Sequence, residues 1–175
     1  MLIQAYNPQW PQWFERIQAI LAAALQGLDH TIEHVGSTAV PGLAAKPIID
    51  IDIVYPPTTD FKTIQKRLQD IGYYHNGNQG IADREVFKRQ ASIAHAILDS
   101  IAHHLYVCPQ YSHELKRHIK FRDCLRKDET ARLWYQTIKY QLAEETQQDR
   151  KRYAALKQLK ANPFINQLIG MDERQ

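Results

Sequence analysis

Two aspartates separated by a single residue interrupt the most apolar run of this sequence. Asp50 and Asp52 stand in "KPIIDIDIVY". Successive side chains of a β-strand point to opposite faces, so the two carboxylates share one face and the isoleucines take the other. Carboxylates on one face can converge on a divalent cation, and Mg²⁺ is often held by one or two carboxylates together with substrate phosphates. The spacing therefore predicts a Mg²⁺ site with Asp50 and Asp52 as ligands.

The same alternation also suits the solvated face of an edge strand, which needs no metal. The flanking residues favour the metal interpretation, because "KPII" and "IVY" are apolar at nearly every position. Apolar flanks of this kind are typical of a central strand that is covered on both faces.

A Gly-Ser-Thr turn precedes the aspartates. In "HVGSTAVPGL", Gly36, Ser37 and Thr38 follow a short alternating segment. Glycine permits a tight turn and a close backbone approach to a ligand, and hydroxyl and N–H groups can hold phosphate oxygens. Gly-Ser pairs also form plain turns, and the G-x-x-x-x-G-K-[ST] spacing of the ATPase phosphate loop is absent. We predict a phosphate contact at Gly36, Ser37 and Thr38.

Three basic residues are predicted to contact the same anion. Lys46 stands four positions before Asp50, and Arg84 and Arg122 each belong to a basic cluster. A lysine supplies a point charge to a phosphate, whereas an arginine can bind it through two parallel hydrogen bonds. The alternative for Lys46 is a salt bridge to an aspartate. The alternative for the two clusters is a solvated face.

The elements that must position these residues alternate between helices and strands in the first part of the chain. Apolar residues at steps of three and four predict helices in "NPQWPQWFERIQAILAAALQGL" and "DFKTIQKRLQDIGY". Alternating patterns predict strands in "TIEHVG", "KPIIDIDIVY", "REVFKR" and "HHLYVCP". The stretch "YYHNGNQGIADR" is typical of a loop, and "QASIAHAILDSIA" suits either a short helix or an irregular strand.

Beyond Pro109 the pattern becomes helical. Three helices are predicted in "SHELKRHIKFRDCLRKD", "ETARLWYQTIKYQLAEET" and "DRKRYAALKQLKANPFINQLIG". The sequence thus predicts an α/β (α+β) fold with a small mixed sheet flanked by helices. We expect residues 1–110 to form the α/β core and residues 111–175 a helical part packed on it within one compact domain. The predicted buried sides of the first two C-terminal helices are Leu115, Ile119 and Phe121, and Leu133, Trp134, Ile138 and Leu142.

Composition narrows the class of protein. A length of 175 residues suits one domain with a sizeable core. A net charge of +3 is too small to indicate a nucleic-acid binder, although it suits an anionic small molecule. Cys108 and Cys124 lack metal-ligand spacing, which indicates free thiols in a reducing compartment. We see no secretion signal and no apolar run long enough for a membrane span, so we expect a cytoplasmic protein with no membrane partner.

The combination of turn and aspartates is more specific than either part. Ser37 is followed by twelve residues and then Asp50, Ile51 and Asp52. A strand that ends in Gly-Ser, a short crossover and a strand with Asp-x-Asp resemble the nucleotidyltransferase superfamily. That resemblance implies that the turn holds a triphosphate and that the acidic pair holds a metal.

A longer stretch, "EHVGSTAVPGLAAKPIIDIDI", closely resembles the GrpB family, whose small proteins are assigned to the nucleotidyltransferase fold. The segments "REVFKR", "HHLYV" and "HELKRHIKFRDCLRKD" resemble it too, as do the first helix and "YAALKQLK". The resemblance covers nearly the whole chain. It implies the nucleotidyltransferase fold without defining a reaction.

The superfamily resemblance also implies a third carboxylate on a neighbouring strand, and here the sequence departs from the pattern. Glu85 in "REVFKR" is the preferred candidate, and Asp99 in "ILDSI" is the other. The strand "HHLYV" offers His104 at the position where an acid is expected. His104 suits a metal ligand, a phosphate contact or a general base, and also an ordinary polar residue on a half-buried strand.

We therefore predict a Mg²⁺-dependent nucleotidyltransferase that acts from a nucleoside triphosphate on an unknown small-molecule or protein acceptor. The predicted catalytic residues are Asp50, Asp52, Glu85 and His104. An alternative of another class is a non-catalytic nucleotide- or anion-binding protein with an incomplete acidic triad. A third hypothesis is a hydrolase or phosphotransferase in which His104 is the base.

Overall fold

A five-stranded mixed sheet forms the centre of the molecule. The computed structural model describes residues 1–170. The strand order is β1-β2-β5-β4-β3; β2 and β5 run parallel, and the other neighbours pair antiparallel. This mixed sheet confirms the predicted fold class. The strands are β1 (Thr31–Val35), β2 (Ile49–Tyr55), β3 (Tyr73–His75), β4 (Glu85–Arg89) and β5 (His103–Pro109).

Within residues 1–170, six α-helices accompany the sheet, three before the last strand and three after it. The C-terminal three begin at caps that the sequence supplies. Ser112 accepts from the backbone N–H of Leu115 through its hydroxyl, and Asp128 and Asp149 cap the next two helices through their carboxylates. The helices are α1 (Trp10–Ala24), α2 (Phe61–Asp70), α3 (Ala96–Ser100), α4 (His113–Lys127), α5 (Glu129–Glu145) and α6 (Arg150–Leu168).

One face of the sheet packs on the N-terminal helices and forms the main core. Ile49, Ile51 and Ile53 of β2 are fully buried in it, together with apolar side chains of α1 and α2. Removing each such side chain from water contributes roughly 1.5–3 kcal/mol. Because side chains alternate along a strand, this burial fixes Asp50 and Asp52 on the opposite face.

Two details of the predicted elements are wrong, and one open alternative is decided. Tyr73–His75 forms β3 rather than a loop, because it pairs with β4 at the sheet edge. In "QASIAHAILDSIA" the structure has the short helix α3, which is one of the two predicted alternatives. On α5, Leu133 and Trp134 are 51% and 45% exposed, whereas Lys139 is buried. A hydrophobic pattern treats lysine as a surface residue, so it misplaced the buried face of this helix.

Within residues 1–170, no helix combines the length and the apolar character that crossing a membrane requires. The division of the chain at residue 110 stays a prediction, and residues 171–175 of its second part lie outside the described residues.

Candidate functional site

The face of the sheet that carries the aspartates faces the C-terminal helices. In the pairing of β2 with β5, Asp50 lies opposite His104 and Asp52 lies opposite Tyr106. Parallel neighbours in register present their side chains on the same face. Asp52 is fully buried, whereas Asp50 is partly exposed. The arrangement therefore groups two carboxylates, an imidazole and a phenol on one surface.

Gly36 brings the backbone of the turn directly against Asp50. Its φ of 72° lies in the left-handed region, and a Cβ atom placed there would stand 2.3 Å from Asp50 Oδ2. That separation is far below a van der Waals contact. Only glycine therefore permits both the backbone conformation and the approach to the carboxylate.

The rest of the turn is anchored by hydrogen bonds to its neighbours. The Thr38 hydroxyl donates to the carbonyl of Ile48 at 3.2 Å, so it accepts from Nε2 of His34 at 3.1 Å. Burial, with a smaller contribution from nearby arginines, lowers the pKa of His34 to about 4. His34 is thus neutral and holds the turn in place, while Ser37 lines the adjoining cleft.

Helix α4 supplies the ion-pair partner of Asp52. His118 Nδ1 lies 2.8 Å from Asp52 Oδ2, and His118 Nε2 lies 3.2 Å from Glu114 Oε1. Burial disfavours the imidazolium, but the hydrogen bonds to the two carboxylates outweigh it and raise the pKa of His118 to about 9. Burial also disfavours ionised Glu114, yet His118 and Arg117 lower the pKa of that carboxyl to about 2. At neutral pH a cation therefore stands between two acids.

Each aspartate has one carboxylate oxygen that could bind a Mg²⁺ ion. Oδ1 of Asp52 is buried and has no hydrogen-bond partner, and burial raises the pKa of this carboxyl. Asp50 uses Oδ1 to accept from His104 Nδ1 at 2.8 Å. In residues 1–170, no group of three or more His, Cys, Asp or Glu could hold a metal. Two protein carboxylates completed by ligand oxygens and water fit Mg²⁺, which dehydrates reluctantly.

A cleft of about 490 Å³ opens beside this surface, between the sheet and the C-terminal helices. Such a volume lies within the range of small-ligand sites. Asp50, His104 and Tyr106 line it, as does the Gly36–Thr38 turn. Its cationic side chains come from both walls and are Lys46, Arg117, His118, Lys139 and Lys157.

A protein-family model described as "GrpB protein" matches residues 1–170. The chain belongs to the GrpB family. A similar GrpB protein from Enterococcus faecalis has a crystal structure with a TM-score of 0.77 at 28% identity, covering 96% of this chain and 94% of that one. The family assignment confirms the resemblance that the sequence showed.

Curated relatives of this GrpB-family chain carry no activity in their names. A UPF0157 protein of Pseudomonas aeruginosa is 40% identical over 84% of this chain and 59% of its own length. A UPF0157 protein of Halalkalibacterium halodurans is 33% identical over 87% of this chain and 74% of its own. Solved structures that resemble the chain also include Cid1 poly(U) polymerase with MgGTP, at 13% identity and a TM-score of 0.47, over 71% of this chain and 42% of that one.

Glu85 does not lie near the aspartates of this GrpB-family chain. It pairs across β4 and β5 with Val107, whose side chain is in the main core. Its Oε2 lies 2.5 Å from His75 Nε2 on that other face. The prediction that Glu85 completes the acidic group therefore does not fit the structure. Asp99, the other candidate, pairs with Arg89.

The two predicted arginines contact other groups of the protein, and their predicted anion contacts stay predictions. Arg84 lies over the ring of Tyr106, 4.7 Å from its centroid. Arg122 forms a 2.8 Å ion pair with Glu33 and donates to the carbonyl of His34. Neighbouring Arg126 donates to the carbonyl of Ala39. These contacts bind helix α4 to β1 and to the turn, so Arg122 is already engaged before any ligand arrives.

Four residues of the site did not emerge from the sequence. Glu114 and His118 lie four positions apart on α4, so their side chains are neighbours on one face of the helix. The pattern of apolar positions along α4 does not reveal this spacing. Lys139 and Lys157 belong to helices whose charges resemble ordinary solvated faces. Their roles depend on how α4, α5 and α6 pack over the sheet.

Proposed function

We propose that this protein is a Mg²⁺-dependent nucleotidyltransferase that uses a nucleoside triphosphate. The observation that carries the proposal is the contact between the Gly36 turn and the Asp50 carboxylate at the wall of a cationic cleft. Asp50 and Asp52 are the proposed Mg²⁺ ligands. Mg²⁺, when bound, would neutralise charge on the phosphates and on the leaving group.

The turn and Lys46 are the proposed phosphate contacts. Backbone N–H groups at a Gly-Ser turn and a nearby ammonium both stabilise phosphate oxygens. Lys46 lines the cleft and lies over the ring of Tyr153, 4.3 Å from its centroid. In the proposed reaction a hydroxyl or amine of the acceptor attacks the α phosphorus near the aspartates. The bond from the α phosphorus to the α,β-bridging oxygen breaks, and pyrophosphate leaves.

His104 is the proposed general base. When its Nδ1–H donates to Asp50, the neutral imidazole presents the lone pair of Nε2 to the cleft. The side chain is half exposed, so an acceptor can reach it. Asp50 would orient this ring and hold its tautomer, as a carboxylate does for a catalytic histidine.

The alternative of a non-catalytic nucleotide- or anion-binding protein is favoured by a specific observation. The strand next to the aspartates presents His104 and Tyr106 where the superfamily pattern implies an acid, and Glu85 lies on the other face. In this alternative the cleft binds its ligand without transferring a group.

Calorimetric titration with each of the four nucleoside triphosphates, with and without Mg²⁺, tests both proposals. We expect Mg²⁺-dependent binding by the wild type that Asp50→Asn and Asp52→Asn lose. Asp70→Asn, an exposed aspartate of α2, is the matched control. The absence of metal-dependent binding in the wild type would contradict the first proposal. Two results together would favour the alternative. His104→Asn would still bind the nucleotide, and the wild type would release no pyrophosphate with any mixture of candidate acceptors.

A further inference from the structure

Lys139 of helix α5 is a buried lysine with unused hydrogen-bond donors. It is only 2% exposed. Its Nζ donates to the carbonyl of Ala44 and lies 4.9 Å from the centroid of the Tyr135 ring. An ammonium carries three donors, and lysines are almost never this buried without a partner of opposite charge.

Lys139 belongs to a cluster of three lysines that line one cleft, with Lys46 and Lys157 as the others. None of the three has a carboxylate partner within 4.0 Å in residues 1–170. Lys157 lowers the pKa of both Lys46 and Lys139 in addition to the effect of burial. The charge of Lys157 therefore disfavours the ammonium forms of both other lysines, whereas Tyr135 first, and then Asp50, raise the pKa of Lys157 itself.

The surroundings of the cluster hold these ammonium groups in place. The rings of Tyr135 and Tyr153 face Lys139 and Lys46, and an aromatic face attracts a cation. The backbone at Ala44 is held on α5, because its N–H donates to Gln136 Oε1 at 2.7 Å. Three lysines that line one cleft, with no carboxylate within 4.0 Å of any of them in residues 1–170, form a site that suits an anion.

We propose that Lys46, Lys139 and Lys157 form a metal-independent subsite for a phosphate group, in which the C-terminal helices supply two of the three cations. A phosphate group offers three acceptor oxygens and close to two negative charges, which match three ammonium groups better than a single carboxylate does. Binding removes the repulsion among the lysines and fills the donors that Lys139 leaves unused.

The inference rests on the proposed function only for the source of that phosphate. The group belongs either to the terminal phosphates of the nucleotide or to a phosphorylated second substrate in the same cleft. Both sources present the same chemistry to the lysines, so the test begins with inorganic pyrophosphate and without metal.

The experiment titrates pyrophosphate into the full chain by calorimetry in the presence of EDTA. We expect saturable binding by the wild type and an affinity at least ~10-fold weaker in Lys139→Met and in Lys157→Met, because each loses a charge-assisted contact. Lys151→Met, an exposed lysine on α6, is the matched control and should bind as the wild type does. Thermal unfolding of each variant reports whether it is folded.

The two sources give different competition results, and both support the subsite. Displacement of pyrophosphate by ATP but not by AMP assigns the subsite to the nucleotide, and simultaneous binding of ATP and pyrophosphate assigns it to a second substrate.

The inference is overturned if the wild type fails to bind pyrophosphate, or if a folded Lys157→Met binds it as the wild type does. A wild type that binds pyrophosphate in EDTA but no Mg²⁺-nucleotide would refute the proposed function and leave the subsite standing.

Discussion

The backbone of Gly36 lies so close to the Asp50 carboxylate that a Cβ atom at residue 36 would stand 2.3 Å from Oδ2. The turn that follows β1 and the Asp50 side chain of β2 are thereby packed against each other at the edge of the cleft. The proposed phosphate contacts and the proposed metal ligand consequently share one rigid surface.

Gly36→Ala should therefore disrupt both stability and ligand binding. The substitution adds a backbone penalty of about 1–2 kcal/mol at positive φ and a clash that must move Asp50. We expect a loss of roughly 2–4 kcal/mol in the free energy of unfolding, measured by urea denaturation, and loss of Mg²⁺-dependent nucleotide binding.

Gly77→Ala separates the two contributions. Gly77 has a similar φ of 70°, but an added Cβ there meets nothing within 4 Å. Its loss of stability should be confined to the backbone penalty, and its nucleotide binding should be unchanged. Equal losses in the two variants would show that the approach to Asp50 is unimportant.

His118→Gln should destabilise the protein at neutral pH, because it removes the cation that compensates fully buried Asp52. Breaking a buried pair in this way typically costs about 3–5 kcal/mol. Urea denaturation should show this loss, and adding Asp52→Asn to His118→Gln should recover much of it. His113→Gln, which changes an exposed histidine of the same helix, should have little effect. A loss in His118→Gln no larger than in that control would be inconsistent with the pairing.

His34 should make the fold sensitive to acid. Its pKa is about 4 in the folded protein against an ordinary 6.5, so between these values the unfolded chain binds more protons and stability falls as the pH is lowered. From pH 7 to pH 4, the wild type should lose roughly 3 kcal/mol more than His34→Gln does. Denaturation curves collected across this range measure the difference. Parallel pH dependences in the two proteins would contradict a neutral, buried His34.

Lys139 should make the free energy of unfolding depend on pH in the alkaline range. Burial first, and then the charge of Lys157, lower the pKa of Lys139 well below its ordinary 10.5. Between the two values the unfolded chain holds a proton that the folded chain lacks, so this contribution to stability grows as the pH rises. As the pH rises toward 10.5, the wild type should gain stability relative to Lys139→Met. Lys151→Met should show no comparable trend, and a wild type that loses ground to Lys139→Met over this range would refute the prediction.

Local patterns predicted the elements that carry the aspartates and the turn. The alternation around Asp50 and Asp52 depends only on neighbours in the chain, and so does the Gly36 turn. The prediction that Glu85 joins the aspartates failed for a different reason. The face on which Glu85 lies depends on the register between β4 and β5. Phe87 lies two positions after Glu85 and is buried in the main core. Because side chains alternate along a strand, an apolar Phe87 indicates that Glu85 points to the core side of the sheet.

The residues supplied by the C-terminal helices could not be placed in this way. The contact of His118 with Asp52 joins residues 66 positions apart, and no periodicity encodes which strand a helix covers. Lys139 is absent from the predicted buried side of α5, because apolar patterns treat every lysine as solvated. Its burial depends on Tyr135 and on the carbonyl of Ala44, which are brought together only by tertiary packing.

Helix α4 is tied to the sheet at three levels: Arg122 to β1, Arg126 to the backbone after the turn, and His118 to β2. Helices α5 and α6 carry Lys139 and Lys157, and they pack on the segment between β1 and β2, where Tyr135 and Ala161 share a core cluster with Val40 and Leu43. A phosphate held by these two lysines and by Lys46 would therefore add a polar connection between the C-terminal helices and that segment, next to their apolar contact.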